Sequence, residues 1–458
     1  MDIRDVFKPL DEAKFSWFHA KSMITTGMGV FTDGYDLSSI GIVLGALLTS
    51  FGITKSSPDF AIVSSLLTGA ALIGSAIGAI IFGFLANMGR KTFYGVDVAL
   101  MTIGALLQAF VQNPMQLVLV RFILGLGIGA DYVLSPLIMA EHSNAIDRGK
   151  KLALGFGLFW GFGASTAAGL YLILQAMGIP LDLIWRIILA TGAIPAAAVI
   201  YLRRKIPETT RYLGRIKGDI DGVKKVIKEV TKTEVSIMAN VKDNVKALDY
   251  FKTNWRPILI AAILWFLYDI PAYAGILFGP SLIASKLGLD PATYQLVNEA
   301  FFIIPGGLIA LLLIDRVGRK PLQIIGFIGM TLALTSFAFY IKSPNYIPLI
   351  AIILYGLEQF SSQSGPGSVS ASGVLGVELA PTKIRSIAQG ITVVGGRLGA
   401  TFASFVFPSL YVQYGLSFAV VFVAFASGIA ALLTFLSIPE TKGKSLEEAS
   451  REIEFVKA

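Results

Sequence analysis

Apolar residues in this chain come in long runs rather than in alternation. Twelve stretches follow one another, each close to the roughly 20 apolar residues that cross a bilayer core as a helix. They span Met23–Leu48, Ala61–Leu85, Phe93–Phe110, Leu117–Ala140, Leu152–Met177 and Leu183–Leu202, then Ile258–Ala284, Tyr294–Ile314, Leu322–Tyr340, Ile347–Leu375, Ile387–Val412 and Leu416–Leu436. A long polar segment separates the sixth from the seventh. Many stretches are rich in Gly and Ala, which lets helix backbones approach closely in lipid. The pattern predicts an all-α polytopic membrane protein of twelve transmembrane helices.

The pattern also repeats. Glu141 precedes Arg148 in EHSNAIDR, and Glu378 precedes Arg385 in ELAPTKIR at the same spacing. PETTRYL begins at Pro207 and PETKGKS at Pro439, while GRK ends at Lys91 and again at Lys320. Each pair lies close to half a chain length apart, so two six-helix halves in parallel repeat are expected, with a site between them. The expected units are residues 1–202, a linker at 203–256 and a second half at 257–458. Within the linker, DIDGVKKVIKEVTKTEV (219–235) predicts a short amphipathic helix lying at the membrane surface.

Composition and charge sharpen this picture. Only 15% of residues are charged and 54% are hydrophobic, against about 25% and 45–50% in a soluble domain. The net charge of +8 is a topology signal. Of the 38 Lys and Arg, only Lys55, Arg186, Lys286 and Lys342 fall on one side, Arg121 and Arg397 lie within apolar stretches, and all others gather on the opposite side. Both termini and the linker are therefore expected to be cytoplasmic, in a multi-pass plasma-membrane protein that binds no nucleic acid. The charged N-terminus has no signal-peptide core, so the first apolar helix is expected to act as its own insertion signal. There is no Cys, and the only His are His19 and His142, so neither a thiolate nor a multi-histidine metal site is expected, and no cofactor is called for. GLGIGA, from Gly125 to Ala130, is superficially like a dinucleotide fingerprint, but it lies inside an apolar helix with no preceding strand. Its glycines are expected to serve close packing. No phosphate loop for ATP and no catalytic constellation is visible.

A charge at bilayer depth costs roughly 2.5–3.5 kcal/mol on insertion scales, so each needs a reason. Asp33 and Asp36 share one face of the first stretch; Arg121 and Asp131 lie in the fourth; Asp269 stands one turn from both Trp265 and Tyr273 in the seventh; Glu299, Glu358 and Arg397 lie in the eighth, tenth and eleventh. Six carboxylates cannot all pair with two guanidiniums, so some should carry protons near neutral pH, as a proton-coupled carrier requires. Blander readings stand beside this. The acids could pin helices together, Asp33 beside Gly34 could cap or kink its helix, Arg121 could tie its helix to a neighbour, and Trp265 and Tyr273 could be packing. His142, at a helix end, reads as a surface residue.

These motifs resemble the major facilitator superfamily over nearly the whole chain. GFLANMGRK and IDRVGRK are similar to its loop signature. RFILGLGIGADY, PETTRYL and PETKGKSLEE resemble its sugar-transporter-like branch, which includes phosphate carriers. Within that branch FTDGYDL resembles the TDAYDL of proton-coupled phosphate symporters, GADYVLS their GGDYPLS, and RKTFYGVDV their RKxxYGxEL, which puts Asp97 at an acidic position. Trp265, Asp269 and Tyr273 match their W-x3-D-x3-Y pattern, whereas the paired glutamines of sugar carriers are missing. Three departures stand out. Trp160 replaces a Gln, Arg397 in GGRLGA replaces a Lys, and Asn87 stands where an Asp is usual. Arg397 and the DGYD wording also resemble symporters of aromatic and other organic acids.

The resemblance implies a secondary transporter, not an enzyme, that couples protons to a small anion. Inorganic phosphate is the expected substrate, with an organic acid or sugar-like metabolite as the alternative; a non-transporting receptor has little use for the acids. It implies proton coupling by Asp36, Asp131, Asp33 and Asp97. It implies substrate binding by Tyr132, Trp160, Trp265, Asp269, Tyr273 and Arg397, and gating or structural roles for Arg90, Arg121, Glu141, Arg148, Asp315, Arg319, Glu378 and Arg385. The expected partners are the anion, protons and the lipid bilayer, with the chain acting as a monomer.

Overall fold

The computed structural model describes residues 3–54, 56–234 and 241–456. Lys55 and Val235, the last residue of the expected linker helix, lie outside the described residues. Helices account for all regular structure among the described residues. Ten are long and apolar enough to cross a membrane. We number the transmembrane helices α1 (Trp17–Ser50), α2 (Phe60–Leu85), α3 (Val96–Gln108), α4 (Pro114–His142), α5 (Arg148–Ala176), α6 (Leu181–Lys205), α7 (Ala247–Leu287), α8 (Pro291–Leu313), α9 (Arg319–Tyr340), α10 (Pro348–Ser364), α11 (Arg385–Tyr414) and α12 (Leu416–Ser437). The two shorter members, α3 and α10, complete the twelve.

Local chemistry sets the ends. The Asn113 side chain accepts from Gln116 N, and Pro114 opens α4; Asp290 accepts from Ala292 N and Thr293 N, and Pro291 opens α8. Both follow the preference for Asn or Asp as cap and Pro at the first helical position. The tenth apolar stretch is not one helix. It stops at Ser364 because Pro366 lacks an N–H and cannot continue the turn, and the chain resumes as short helices at Pro366–Val369 and Val374–Glu378. The third starts at Val96 rather than Phe93, because Tyr94 has extended backbone. Wide turns with i→i+5 spacing interrupt α5 at Leu154–Phe159, α7 at Gly279–Ile283 and α8 at Glu299–Ile303; such turns often mark functional sites.

Small residues bring the helices together. A Cβ on Gly125 would overlap Ala71 O and one on Gly129 would overlap Ser75 O, both on α2. Gly127, between them, presses on the backbone of Asp97 in α3. GLGIGA is thus a close-packing motif that serves two neighbours. Gly395 and Gly399 do the same for α11 against Ala262 O and Phe266 O of α7. Gly34 of α1 meets Trp160 O of α5. α1 runs unbroken through Asp33, so Asp33 does not cap a helix end.

The helices form two six-helix halves, α1–α6 and α7–α12, which meet along α2 and α11, α1 and α7, and α5 and α8. Burial is inverted relative to a soluble protein. Phe425, Leu432 and Phe435 of α12 face outward while Arg121, Arg203 and Arg397 are buried, as lipid as solvent requires. On the face that carries both termini, Val6, Phe7 and Leu10 of an N-terminal helix (Ile3–Asp11) pack against Val223, Val226, Ile227 and Val230 of the linker helix (Ile220–Thr231). The expected amphipathic helix forms, but protein covers its apolar face, so it does not lie on the membrane by that face.

Candidate functional site

Between the halves lies a buried cavity whose open space is about 50 Å3. Its most strongly charged wall comes from α7 and α11. The Arg397 guanidinium stacks over the Tyr132 ring of α4 at 4.2 Å and faces the Tyr273 ring at 5.3 Å. It donates to the Tyr273 hydroxyl, while its Nε has no hydrogen-bond partner among the described residues. Asp269 stands one turn before Tyr273 on α7 and faces the same space, as does Trp160 of α5. Helix spacing makes this possible, because residues i and i+4 share a face. Trp265, the first residue of the row, does not line the cavity. It packs behind Tyr132, ring centroids 6.0 Å apart, against Gly396, where a Cβ would overlap the indole. Gln359 and Gln363 of α10 line the opposite wall, and they form no part of the sequence expectation. The signal was available: Gln359, Ser362 and Gln363 sit at helical spacing within an apolar stretch.

The acids of the first half lie deeper. Arg203, at the end of α6, donates through Nη1 to Asp97 Oδ2 of α3 at 2.5 Å and to Asp131 Oδ1 of α4 at 2.7 Å. All three side chains are fully buried. Arg203 counts as a linker residue in the sequence, yet it is a third guanidinium inside the protein; because it also pairs with Asp97, a further buried acid, the surplus of acids over bases is unchanged. Asp33 and Asp36 have no hydrogen-bond partner among the described residues. Asp33 lies within electrostatic range of Arg397, Asp131 and Arg203, and Asp36 within range of Arg121. Arg121 donates to Leu67 O at 2.9 Å and Gln108 Oε1 at 3.1 Å, tying α4 to α2 and α3. Glu299 and Glu358 are held by Gln295 and Gln359 at 2.8 and 2.5 Å, and neither lines the cavity.

The repeated motifs close the terminal face. In the first half, Glu141 accepts from Arg90 (3.4 Å), Arg385 of the second half (2.9 Å) and Thr209 of PETT (2.5 Å). In the second, Glu378 accepts from Arg319 (3.0 Å), Arg148 of the first half (2.8 Å) and Thr441 of PETK (2.5 Å). The glutamate of each PET motif receives amides of its GRK turn: Glu208 from Lys91 N at 3.2 Å and Glu440 from Arg319 N at 3.1 Å. Gly89 and Gly318, at φ +153° and +112°, occupy backbone that favours glycine there. Asp315 bonds Arg319 at 2.7 Å and caps α5 through Lys150 N at 2.6 Å. In the equivalent place Asn87 accepts from Arg90 (3.1 Å) and Ser386 (3.0 Å), so the ion pairs of the first half form without an acid there. His142 is buried beside Pro207 O at 3.3 Å and is not the surface residue expected from its place at a helix end.

Burial pushes the Glu378 carboxyl up, but Arg319 and Arg148 outweigh it and hold the group down at about 2. The halves also touch beyond the cavity, away from the terminal face. Gly41 of α1 meets Ile276 O of α7, and Gly161 of α5 meets Glu299 and Ile304 of α8.

A sequence profile described as "Sugar (and other) transporter" matches residues 22–453. The chain is 32% identical to "Probable inorganic phosphate transporter 1-6" of Arabidopsis thaliana, over 98% of this chain and 96% of that protein. It is 31% identical to "Probable inorganic phosphate transporter 1-12" of Oryza sativa subsp. japonica, over 98% and 94%. Among solved structures, the major facilitator superfamily proton:xylose symporter XylE bound to 6-bromo-6-deoxy-D-glucose superposes with a TM-score of 0.77 at 23% identity, over 95% of this chain and 99% of that one. The inward open conformation of XylE from E. coli gives 0.70 at 23% identity, over 95% and 100%. With its twelve-helix fold, duplicated loop motifs and nearly full-length match, the chain belongs to the sugar (and other) transporter family of the major facilitator superfamily.

Proposed function

We propose that this transporter carries inorganic phosphate inward across the plasma membrane together with protons, by alternating access, as a monomer with both termini cytoplasmic. The observation that carries the reading is that Arg397 and Asp269 face one space of about 50 Å3 between the halves. Arginine offers a planar fork of donors suited to an oxyanion. An aspartate beside it is a poor neighbour for a fully ionised anion. Monobasic phosphate, however, keeps P–OH groups that donate to a carboxylate, whereas sulfate has none and would leave the aspartate unpaired. Tyr273 and Tyr132 hold the guanidinium in place, Trp160 walls the space, and Trp265 supports Tyr132 from behind. Asp33, Asp36 and Asp131, with Asp97, are assigned to proton coupling. The Glu141 and Glu378 clusters, with Arg90, Arg148, Asp315, Arg319 and Arg385, act as the latch on the terminal face, and Arg121 is structural.

An organic acid would set its carboxylate on Arg397 and its body against Trp160, which is why that reading remains the alternative. The small space favours a compact ion, since pockets for drug-sized ligands start at roughly 300 Å3. The test is uptake of radiolabelled phosphate by purified protein in liposomes with a proton gradient, with sulfate and benzoate as competitors. Phosphate uptake resistant to both supports the reading; transport of a carboxylate without phosphate overturns it. The orientation is tested by cysteines placed at exposed Lys225 and Lys342 in this cysteine-free chain. Impermeant reagent should label position 342 and not 225 in intact cells, and the reverse would invert the topology.

A further inference from the structure

Two basic hollows occupy matching places in the two halves, both toward the terminal face. The first lies where α1 begins and α6 ends, beside Ile206 and Pro207, and holds about 260 Å3 of open space. Lys21, Lys205 and Lys232 line it, and Glu229 lines it as well. The second lies between the terminal-face end of α7 and the end of α12, beside Ile438 and Pro439, and holds about 520 Å3. Arg256 and Arg451 line it, and no acid does. Ile206–Pro207 and Ile438–Pro439 open the two copies of the PET motif, so the internal repeat relates the two hollows. Three lysines against one glutamate, and two arginines against no acid, leave each with a net charge of +2.

In each hollow one cation comes from outside the membrane helices. Lys232 directly follows the linker helix (Ile220–Thr231), and Arg451 follows a short tail helix (Leu446–Ala449). They stand at φ +60° and +57°, and no other described residue apart from glycine has a positive φ. A Cβ makes that conformation unfavourable. The chain nonetheless turns a cation through it at the corresponding place in both halves.

These five cations have no acid of their own. None forms a hydrogen bond or ion pair through its side chain among the described residues; Lys205 and Arg256 only lie over the rings of Tyr201 and Trp255, at 5.1 and 5.4 Å. By contrast Arg211 and Arg215, on the same face, are each held by two carboxylates. Ser22, buried and with its hydroxyl lacking a partner among the described residues, also lines the first hollow. Trp17, which lines that hollow, is exposed, as are Tyr201 and Trp255. Exposed Trp and Tyr at the ends of membrane helices mark the level of the lipid headgroups, so both hollows open at that depth.

We infer that each hollow is a site for the phosphate headgroup of an anionic phospholipid, one in each half. Unpaired cations beside interfacial aromatics suit a phosphate that is carried on an acyl body. Inorganic phosphate shares the charge chemistry, but it has no acyl chains to hold it beside Trp17 and Trp255. A seated headgroup ties the linker, through Lys232, to α1 and α6, and the tail, through Arg451, to α7. Lipid thereby fastens the helices of the terminal face to both halves of the membrane domain. This site is separate from the cavity at Arg397 and does not depend on which solute is carried.

The test is native mass spectrometry of the purified protein with phosphatidylglycerol or phosphatidylcholine. The wild type should retain two phosphatidylglycerol molecules, about tenfold more readily than phosphatidylcholine. Lys21→Ala,Lys205→Ala,Lys232→Ala should lose one of them, Arg256→Ala,Arg451→Ala the other, and the five changes together both. All five side chains are exposed, so the variants should fold. Thermal unfolding gives a second readout: phosphatidylglycerol should raise the midpoint of the wild type and not that of the fivefold variant. Retention of both lipids by the fivefold variant, or equal retention of the two lipids by the wild type, overturns the inference. Stabilisation by inorganic phosphate in lipid-free detergent that the fivefold variant loses would assign the hollows to the free ion and overturn the lipid assignment.

Discussion

Arg148 Nε lies 2.8 Å from Glu378 Oε1, with both side chains fully buried, and this pair joins one half of the transporter to the other. Its counterpart runs in the opposite sense, from Arg385 to Glu141 at 2.9 Å. Each glutamate also holds an arginine of its own half, Arg319 or Arg90. In the proposed gating role, the latch is two interlocked triads related by the internal repeat, and opening the terminal face would break one ion pair in each.

Removing one partner of a buried pair costs about 3–5 kcal/mol, because the other charge is left uncompensated. Arg148→Ala should lower the unfolding temperature of the purified protein. It should also raise the accessibility of a cysteine placed in the cavity to reagent from the terminal face. Arg148→Ala,Glu378→Gln together should cost less than the sum of the two single changes, since they share one interaction. Additive losses would show that the pair does not couple.

The pH dependence of this latch has a definite sign. The Glu378 carboxyl, held at about 2 in the fold, titrates near 4.5 when unfolded. A depressed carboxylate contributes stability that is fully present above the unfolded value and is lost as pH falls through the folded one. Thermal stability should therefore fall between about pH 4.5 and 2, and Glu378→Gln should flatten that part of the curve. Glu378 stays ionised across pH 5–8. Glu378→Gln should accordingly lower uptake by a similar factor at every pH in that range, and a displaced profile would place the latch in the coupling path.

Glycine contacts carry a steric prediction. A methyl at Gly399 would meet the backbone of Phe266, whereas one at Gly428 of α12 would meet only Thr331, no closer than 3.7 Å. Backbone cannot move aside as a side chain can, and overpacking costs about 1–3 kcal/mol. Gly399→Ala should reduce the yield of folded protein and its uptake several-fold, while Gly428→Ala should leave both near wild type. Equal effects would refute the packing account.

Periodicity and motif made some of the site legible and hid the rest for identifiable reasons. Asp269, Tyr273 and Arg397 stand out as charge and aromatic residues at bilayer depth, and the fold brings them together. Trp265 belongs to the same row, but residues i, i+4 and i+8 fan through about 80° around a helix, so the row's first member turns behind Tyr132. Arg203 follows an apolar run directly and sits beside Arg204 and Lys205, so it reads as one more basic anchor in the loop; only the tertiary contact with Asp97 and Asp131 draws it inside. The wide turns of α5 and α8 add a residue per turn and shift the phase of Trp160 and Glu299, which no 3.6-residue pattern anticipates. Glu141, Glu378 and their arginines were recognisable because the same spacing occurs twice, although sequence alone does not say that each pair crosses between halves.

The decisive prediction concerns how Arg397 and Asp269 divide the work of selectivity. Arg397 is stacked on Tyr132 and bonded to Tyr273, so its fork is fixed and faces the cavity. Lysine would keep the charge but lose both the planar fork and the stacking. Arg397→Lys should therefore weaken phosphate binding, raising KM about tenfold, with the maximal rate less affected; Tyr273→Phe should act in the same direction, since it removes the hydroxyl that accepts from the guanidinium and holds it in place. Asp269→Asn should act differently. The amide no longer repels an anion without a proton, so sulfate, inert toward the wild type, should become a competitor of phosphate uptake. Competition assays at fixed pH read this directly. If sulfate competes equally with wild type and Asp269→Asn, Asp269 does not select for a protonated anion. If Arg397→Lys leaves KM unchanged, the anion does not bind at Arg397.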